Sequence, residues 1–296
     1  MDKIKQNAYA KINLGLDVVR RLENGYHEVS MIMQTVSLCD KITICKNSGH
    51  GIEVFTNKAE LPGDENNLVY KAAALLCDEF KIEDAIAIEL EKNIPIAAGL
   101  AGGSSDAAAV FRGMNELFSL KLSIEDMQNR AVKLGADIPY CITGGTYLSE
   151  GIGEKLSQIK SFDDYYVLLA KPDISVSTKW VYENLNLSSI NKHPSIAEIK
   201  TAIENGNLNG MCEKLENILE SVTVTKYPVI DDIKAVMKSE GALSSLMSGS
   251  GPTVFGIFDD IKRIETCRNK IDELKLAKDI CITQPVINPY NTMIKL

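Results

Sequence analysis

Apolar and polar residues alternate without a break through "AYAKINLGLDV", residues 8–18. Ala8, Ala10, Ile12, Leu14, Leu16 and Val18 fall on one side; Tyr9, Lys11, Asn13 and Asp17 fall on the other. Period two belongs to strands, so this stretch predicts a half-buried strand with Lys11 and Asn13 as neighbours on its polar face. "NGYH" at 24–27 predicts a turn, with Asn-Gly supplying the positive-φ positions. Period two returns in "KITICK" (41–46) and "AIAIELEK" (85–92), while 48–66 reads as loop. Apolar spacings of three and four across 67–80 predict a helix. A second helix is expected over 105–118, turning Val110, Phe111, Met114, Leu117 and Phe118 inward. Ser123 and Asp126 form a capping box for a helix ending near Leu134, and a strand follows around 145–149.

A new start falls near 161–164, where "SFDDYY" precedes the strand "YVLLAKP". Helices are expected near 177–185, 195–205, 208–220 and 228–240. The third begins without a strong cap; the last has Pro228 at its start and Gly241 after its end. "SSLMSGSGPTVFGIF" (244–258) reads as strand, glycine turn, strand; a helix at 260–275 and a strand at 279–287 finish the chain. Strands and helices mix in both halves, which is the α+β class. The 296 residues exceed what one core usually spans, so two domains are expected, 1–160 and 161–296.

Composition narrows the function classes. At 45% hydrophobic and 24% charged the chain is globular, and a net charge of -8 opposes a nucleic-acid surface or a polybasic membrane patch. Cysteines 39, 45, 77, 141, 212, 267 and 281 lie apart with no CxxC, and His27, His50 and His193 form no metal-spaced cluster. Buried free thiols in a reducing cytosol are the expectation. No signal-like segment or apolar run of ~20 residues appears, so the expected location is cytoplasmic.

The chemistry concentrates in "PIAAGLAGGSSDAAAVF", residues 95–111. One reading is a tight strand-to-helix connection with Ser104 or Ser105 as N-cap. The other is an anion cradle, in which glycines let phosphate oxygens reach the amides of a helix N-terminus. A Walker A loop needs a lysine after its glycines, and a dinucleotide fingerprint needs G-x-G-x-x-G; neither is present.

Three segments carry a resemblance. "PIAAGLAGGSSDAA" resembles the P-x-x-x-G-L-[GSA]-S-S loop of the galactokinase, homoserine kinase, mevalonate kinase and phosphomevalonate kinase superfamily. "KINLGL" and "LSSLMSGSGPTVFGIF" resemble its other two motifs in the same order. The block "AKINLGLDVVRRLENGYHEVSMIMQTVSLCDKI" is similar to the branch acting on a cytidine-diphosphate-bearing methylerythritol for isoprenoid precursors. The resemblance implies an N-terminal domain like domain 2 of ribosomal protein S5 and a C-terminal ferredoxin-like domain. It implies ATP, Mg2+ and a small-molecule cytidine diphosphate substrate, no nucleic acid, no membrane, and a monomer or weak homodimer.

By the same resemblance Lys11 and Asp137 are the catalytic pair, against a solvated strand lysine and a helix-terminal cap. ATP is expected at Asn67, Lys92, Pro95, Gly99, Leu100, Ala101, Gly102, Gly103, Ser104 and Ser105. Ser105 is also the expected magnesium ligand. The plainer alternatives for Asn67 and Lys92 are a helix cap and a solvated strand end. The substrate is expected at Asn13, Tyr26, His27, Asp137, Thr178, Tyr182, Ser248 and Gly249. His27 would bond the cytosine edge between aromatic faces; Trp180 competes with Tyr182 for one face, and Tyr26 alone could be a loop aromatic. Ala97, Ala98 and Ala101 stand where many relatives carry glycine, so they are expected to avoid positive φ. Other readings are a different kinase of the superfamily, a non-catalytic nucleotide-binding relative, or a serine hydrolase using Ser104.

Overall fold

The structure, a computed structural model, describes residues 2–290; Met1 and 291–296, at the ends of the two expected domains, lie outside the described residues. Two compact units share the chain. The first takes residues up to Ala10, Leu38–Ile96 and Ala101–Gly144; the second takes Lys11–Ser37, Ala97–Leu100 and the chain from Gly145 onward. Two long strands, β1 (Lys3–Arg21) and β2 (His27–Asn47), contribute a segment to each.

In the first unit β4 (Ala85–Glu91) pairs antiparallel with β2, Ile88 opposite Ile44. It also pairs parallel with β3 (Ile52–Thr56), Ile88 opposite Val54. β3 lies inside the stretch expected to be loop; five residues carry too little period to announce a strand that the parallel pairing completes. α1 (Leu68–Phe80) starts where Asn67 Oδ1 accepts from Val69 N at 2.9 Å. It ends at Lys81, which takes the left-handed conformation at φ 53°. α2 (Gly102–Leu117) starts earlier than its apolar spacing predicts, with Ala101 as N-cap; Ser104 and Ser105 lie inside the helix. Its buried Ala107, Ala108 and Ala109 keep the helix narrow, and Phe111 and Met114 fill the core. α3 (Ile124–Ala131) carries the Ser123–Asp126 capping box. α4 (Ile138–Thr143), six residues with Pro139 in its first turn, is too short to show a helical period.

In the second unit the N-terminal half of β2 pairs with β5 (Thr146–Gly151), Ile32 opposite Leu148. β5 pairs with a strand the sequence did not announce, β6 (Lys155–Gln158). A separate antiparallel sheet has the order β10-β7-β9-β8, built from β7 (Tyr166–Lys171), β8 (Ser244–Met247), β9 (Val254–Phe258) and β10 (Asp279–Thr283). Between β7 and β8 come α5 (Thr178–Asn184), α6 (Ile196–Glu204), α7 (Leu208–Lys214), α8 (Glu220–Lys226) and α9 (Val229–Ser239). α10 (Ile261–Glu273) joins β9 to β10. Helix-linked outer strands around a β8–β9 hairpin, in that order, make the ferredoxin-like arrangement.

Of the helix expected over 208–220 only α7 forms, capped by Asn207, which accepts from Gly210 N; α8 begins at Glu220, where the expected helix was to end. The chain between them extends because it pairs with β1: Leu16 N donates to Glu216 O at 3.0 Å and Ile218 N to Leu16 O at 3.0 Å. β1 also departs from expectation. Lys11, Asn13 and Asp17 are buried and only Tyr9 is half-buried, so its polar face is largely covered too. In the 24–27 turn only Gly25 takes positive φ, at 85°; Asn24 instead accepts from Tyr26 N at 3.1 Å.

Candidate functional site

In the first unit the glycine-rich stretch opens α2 as an anion cradle would require. Ala101 provides no side-chain cap, so the amides that begin the helix have no side chain capping them. Gly103 is exposed, and a Cβ there would meet only Leu68 Cδ1, at 3.6 Å. Ser104 is half-buried beside it. Ser105 is fully buried, its Oγ donating to Tyr9 O at 2.7 Å, so its hydroxyl is held by the adjoining strand.

Lys92 is not a solvated strand end. Its ammonium is buried between Asp40 Oδ2 and Asp106 Oδ2, the latter at 2.7 Å. Asp40 also accepts the amides of Asn93 (2.5 Å) and Ile94 (2.7 Å), fixing the chain as it leaves β4 towards half-buried Pro95. Burial pushes the Asp106 carboxyl well above its ordinary range against the pull of Lys92, and Asp40 adds to the rise. Asn67 is occupied by capping: its Nδ2 donates to Pro62 O at 2.8 Å while Oδ1 caps α1. Asp137 is the N-cap residue of α4, half-buried, but its side chain makes no capping hydrogen bond. The far end of α4 is held by buried Arg112, which donates to Cys141 O (2.8 Å) and Ile142 O (3.3 Å), and to Asn7 O (2.9 Å).

The second unit gathers the other group. Lys11 Nζ donates to Asn13 Oδ1 at 2.7 Å, and Lys11 N donates to Leu100 O at 3.1 Å. Gly99, at φ 74°, lies so close to the 248–251 turn that a Cβ would come 2.2 Å from Ser248 O. Ser248 Oγ donates to Gly99 O at 3.0 Å. A Cβ on Gly249 would lie 3.5 Å from Lys11 Nζ and 3.6 Å from Asn13 Oδ1. Lys11, Asn13, Gly99, Ser248 and Gly249 thus form one cluster.

A second cluster sits at the 24–27 turn. His27 and Tyr182 stack at 5.1 Å between ring centroids with a 35° tilt. Trp180 instead carries Lys226 Nζ 4.0 Å over its ring, which favours Tyr182 as the aromatic beside His27. Tyr26 is 58% exposed, a large aromatic face open to solvent. Burial lowers the His27 pKa below its ordinary value, with Arg21 adding to the effect, so its imidazole is neutral at neutral pH. Thr178 Oγ1 bonds Ser250 Oγ at 2.8 Å and holds the 248–251 turn from another side.

The alanines overturn one expectation. Ala97 (φ 50°) and Ala101 (φ 55°) both take the left-handed conformation; of the three, only Ala98 avoids it. The loop keeps the path that glycine would follow and carries the strain of a Cβ at two positions. Sequence reasoning also missed Asp40, Asp106, Asn217 and Glu220. A charge inside the apolar run "SLCDKITI" was the available signal for Asp40, and an Asn-x-x-Glu capping pattern for Asn217.

Residues 67–145 match the family described as GHMP kinases N terminal domain, and 185–274 match GHMP kinases C terminal. A 4-diphosphocytidyl-2-C-methyl-D-erythritol kinase of Lachnoclostridium phytofermentans is 54% identical over 265 residues, 90% of this chain and 91% of its own. The chain belongs to the 4-diphosphocytidyl-2-C-methyl-D-erythritol kinase family. A member of that family from Lachnospira eligens is 46% identical, covering 96% of this chain and 99% of its own. Among solved structures, a 4-(cytidine 5'-diphospho)-2C-methyl-D-erythritol kinase superposes with TM-score 0.81 at 26% identity, over 95% of this chain and 99% of that one. A homoserine kinase from Cytophaga hutchinsonii shares the fold, with TM-score 0.79 at 19% identity over 98% of this chain and 96% of its own. The chain is therefore an ATP-dependent small-molecule kinase with the two-domain GHMP architecture. No helix among the described residues is long and apolar enough to cross a membrane.

Proposed function

We propose that this kinase phosphorylates the 2-hydroxyl of 4-diphosphocytidyl-2-C-methyl-D-erythritol, a step of non-mevalonate isoprenoid precursor synthesis in the cytoplasm. The observation that carries the reading is the His27–Tyr182 pair with Tyr26 exposed beside it. An imidazole against one aromatic ring, with a second aromatic exposed next in sequence, suits a cytosine, and the 54% identical relative bears that substrate's name. The uncapped N-terminus of α2, with Gly102, Gly103 and Ser104, offers amides to the ATP phosphates. Asp137 accepts the proton of the acceptor hydroxyl as its oxygen bonds to the γ-phosphorus and the bond to ADP breaks. Lys11, steered by Asn13, stabilises the negative charge on the oxygens in transfer.

Magnesium fits less well as a protein-held ion. Ser105 is fully buried, its hydroxyl held against the strand by a hydrogen bond to Tyr9 O, and among the described residues no cluster of three His, Cys, Asp or Glu side chains could hold a metal ion. Magnesium would enter with ATP, bound chiefly by phosphate oxygens and water. The two domains would divide near residue 160, and the active form would be a monomer or weak homodimer.

The test is incubation with ATP and the diphosphocytidyl substrate, monitoring ADP and a new phosphomonoester; turnover of homoserine or mevalonate in its place would overturn the reading. Asp137→Asn should lower kcat by ~10²–10⁴-fold while nucleotide binding persists, the usual scale for losing a general base. Unchanged turnover would remove Asp137 from the role.

A further inference from the structure

The segment joining α7 to α8 holds a buried asparagine that no role above uses. Asn217 docks on β1 through the backbone bonds of its neighbours Glu216 and Ile218 to Leu16, each 3.0 Å. Its side chain points to the 247–250 turn, where Nδ2 donates to Met247 O and to Gly249 O, both at 2.8 Å. Oδ1 accepts from Leu219 N at 3.0 Å, so both amide hydrogens and the amide oxygen are bonded. One turn on, Glu220 Oε1 accepts from Met247 N at 2.7 Å, and its other oxygen takes Lys234 Nζ at 2.6 Å. Thr223 Oγ1 adds a longer bond, 3.3 Å, to Ser250 O. One short segment therefore grips the turn by three carbonyls and an amide.

That turn needs holding. Gly249 (φ 57°) and Gly251 (φ 84°) are the residues with least conformational preference, and Gly249 is the one packed near Lys11 and Asn13. Because β1 carries both Lys11 and the Asn217 docking point at Leu16, the same strand references the cation and the clamp.

We infer that Asn217, backed by Glu220, is a positioning residue that sets the Ser248–Gly249 backbone against Lys11 and Asn13 for the phosphoryl acceptor. The inference rests on the proposed kinase reading. Asn217 touches no reacting atom; it acts through the turn. A displacement of ~1 Å at a positioned site costs on the order of 10²-fold in rate, which sets the expected effect.

The experiment compares Asn217→Ala, Glu220→Ala and Glu220→Gln with the wild-type chain, using ATP and diphosphocytidyl-methylerythritol. Amide exchange across 247–253 is measured on the same samples. Folded Asn217→Ala should lose ~10²-fold in acceptor kcat/KM with the ATP KM within about twofold. Its Ser248 and Gly251 amides, bonded to Thr253 O and Ser248 O, should exchange at least about tenfold faster. Glu220→Gln keeps an acceptor for Met247 N but turns its NH2 toward Lys234, so it should lose less than Glu220→Ala, which should follow Asn217→Ala. A merely structural asparagine would lower the melting temperature and leave these kinetics within twofold, which overturns the inference; so does unchanged exchange, or an equal rise in the ATP KM. If Asn217→Ala does not fold, the two Glu220 variants decide. A wild-type chain silent on this acceptor refutes the functional reading, and the exchange result alone then decides the inference.

Discussion

At the scale of single residues, the glycine-rich stretch stores strain where the side chains are smallest. A non-glycine residue in the left-handed region costs roughly 1–2 kcal/mol, and glycine gives part of that back through its freer unfolded chain. Ala97→Gly and Ala101→Gly should therefore each raise stability by about 0.5–1 kcal/mol, read as a higher urea midpoint at constant slope. Gly99→Ala should do the reverse, since its Cβ would overlap the Ser248 carbonyl; a loss of about 2–3 kcal/mol is expected, and a neutral result would mean the loop and turn are not so closely apposed. His27 yields a signed pH prediction. Its pKa lies below the ordinary 6.5 because burial disfavours the charged ring, so the neutral form proposed to bond cytosine persists into more acidic solution. The acceptor KM should rise on acidification only at a lower pH than an unburied imidazole would give, while His27→Ala should raise it at every pH without moving the ATP KM.

Elements succeed or fail here by how much of their stabilisation is local. α3 is legible because Ser123 and Asp126 satisfy each other's amides within four residues, and the helix then places Gln128 to donate to Pro139 O in α4 at 3.0 Å. Ser123→Ala should cost ~1 kcal/mol of unfolding free energy while kcat is unchanged, because the box only starts the helix; a comparable loss of turnover would show that α3 tension reaches Asp137. The helix expected over 208–220 stops at Lys214, and nothing local in 215–218 signals that Leu16 will claim the backbone groups of Glu216 and Ile218. β3, β6 and α4 were invisible because each is six residues or fewer, too short to show a period; β3 is completed only by its pairing with the distant β4. Long alternating β1 and β4, and α1 with its Asn67 cap, announced themselves.

For the whole molecule, a formal charge of -8 means that the long-range field opposes the anionic nucleotide and the diphosphate acceptor. On the proposed reading the attraction comes from local amides at α2 and the buried Lys11, so screening should not weaken binding. Raising ionic strength from about 0.01 M to 0.15 M should leave the ATP KM within about twofold or lower it; a several-fold increase would point to long-range steering instead. The amino-acid sequence by itself determined the α+β class, through periodicity and caps that act between residues close in the chain. The family and the ferredoxin-like second half came from the resemblance of its three short motifs. Only the tertiary structure decided that Lys92 is shared by two buried carboxylates, that Tyr182 rather than Trp180 faces His27, that Ala97 and Ala101 accept a left-handed backbone, and that Asn217 grips the glycine turn. Each of those depends on a partner many residues away, and burial removes the water that would otherwise satisfy the same groups, so the partner is fixed by packing and not by local spacing.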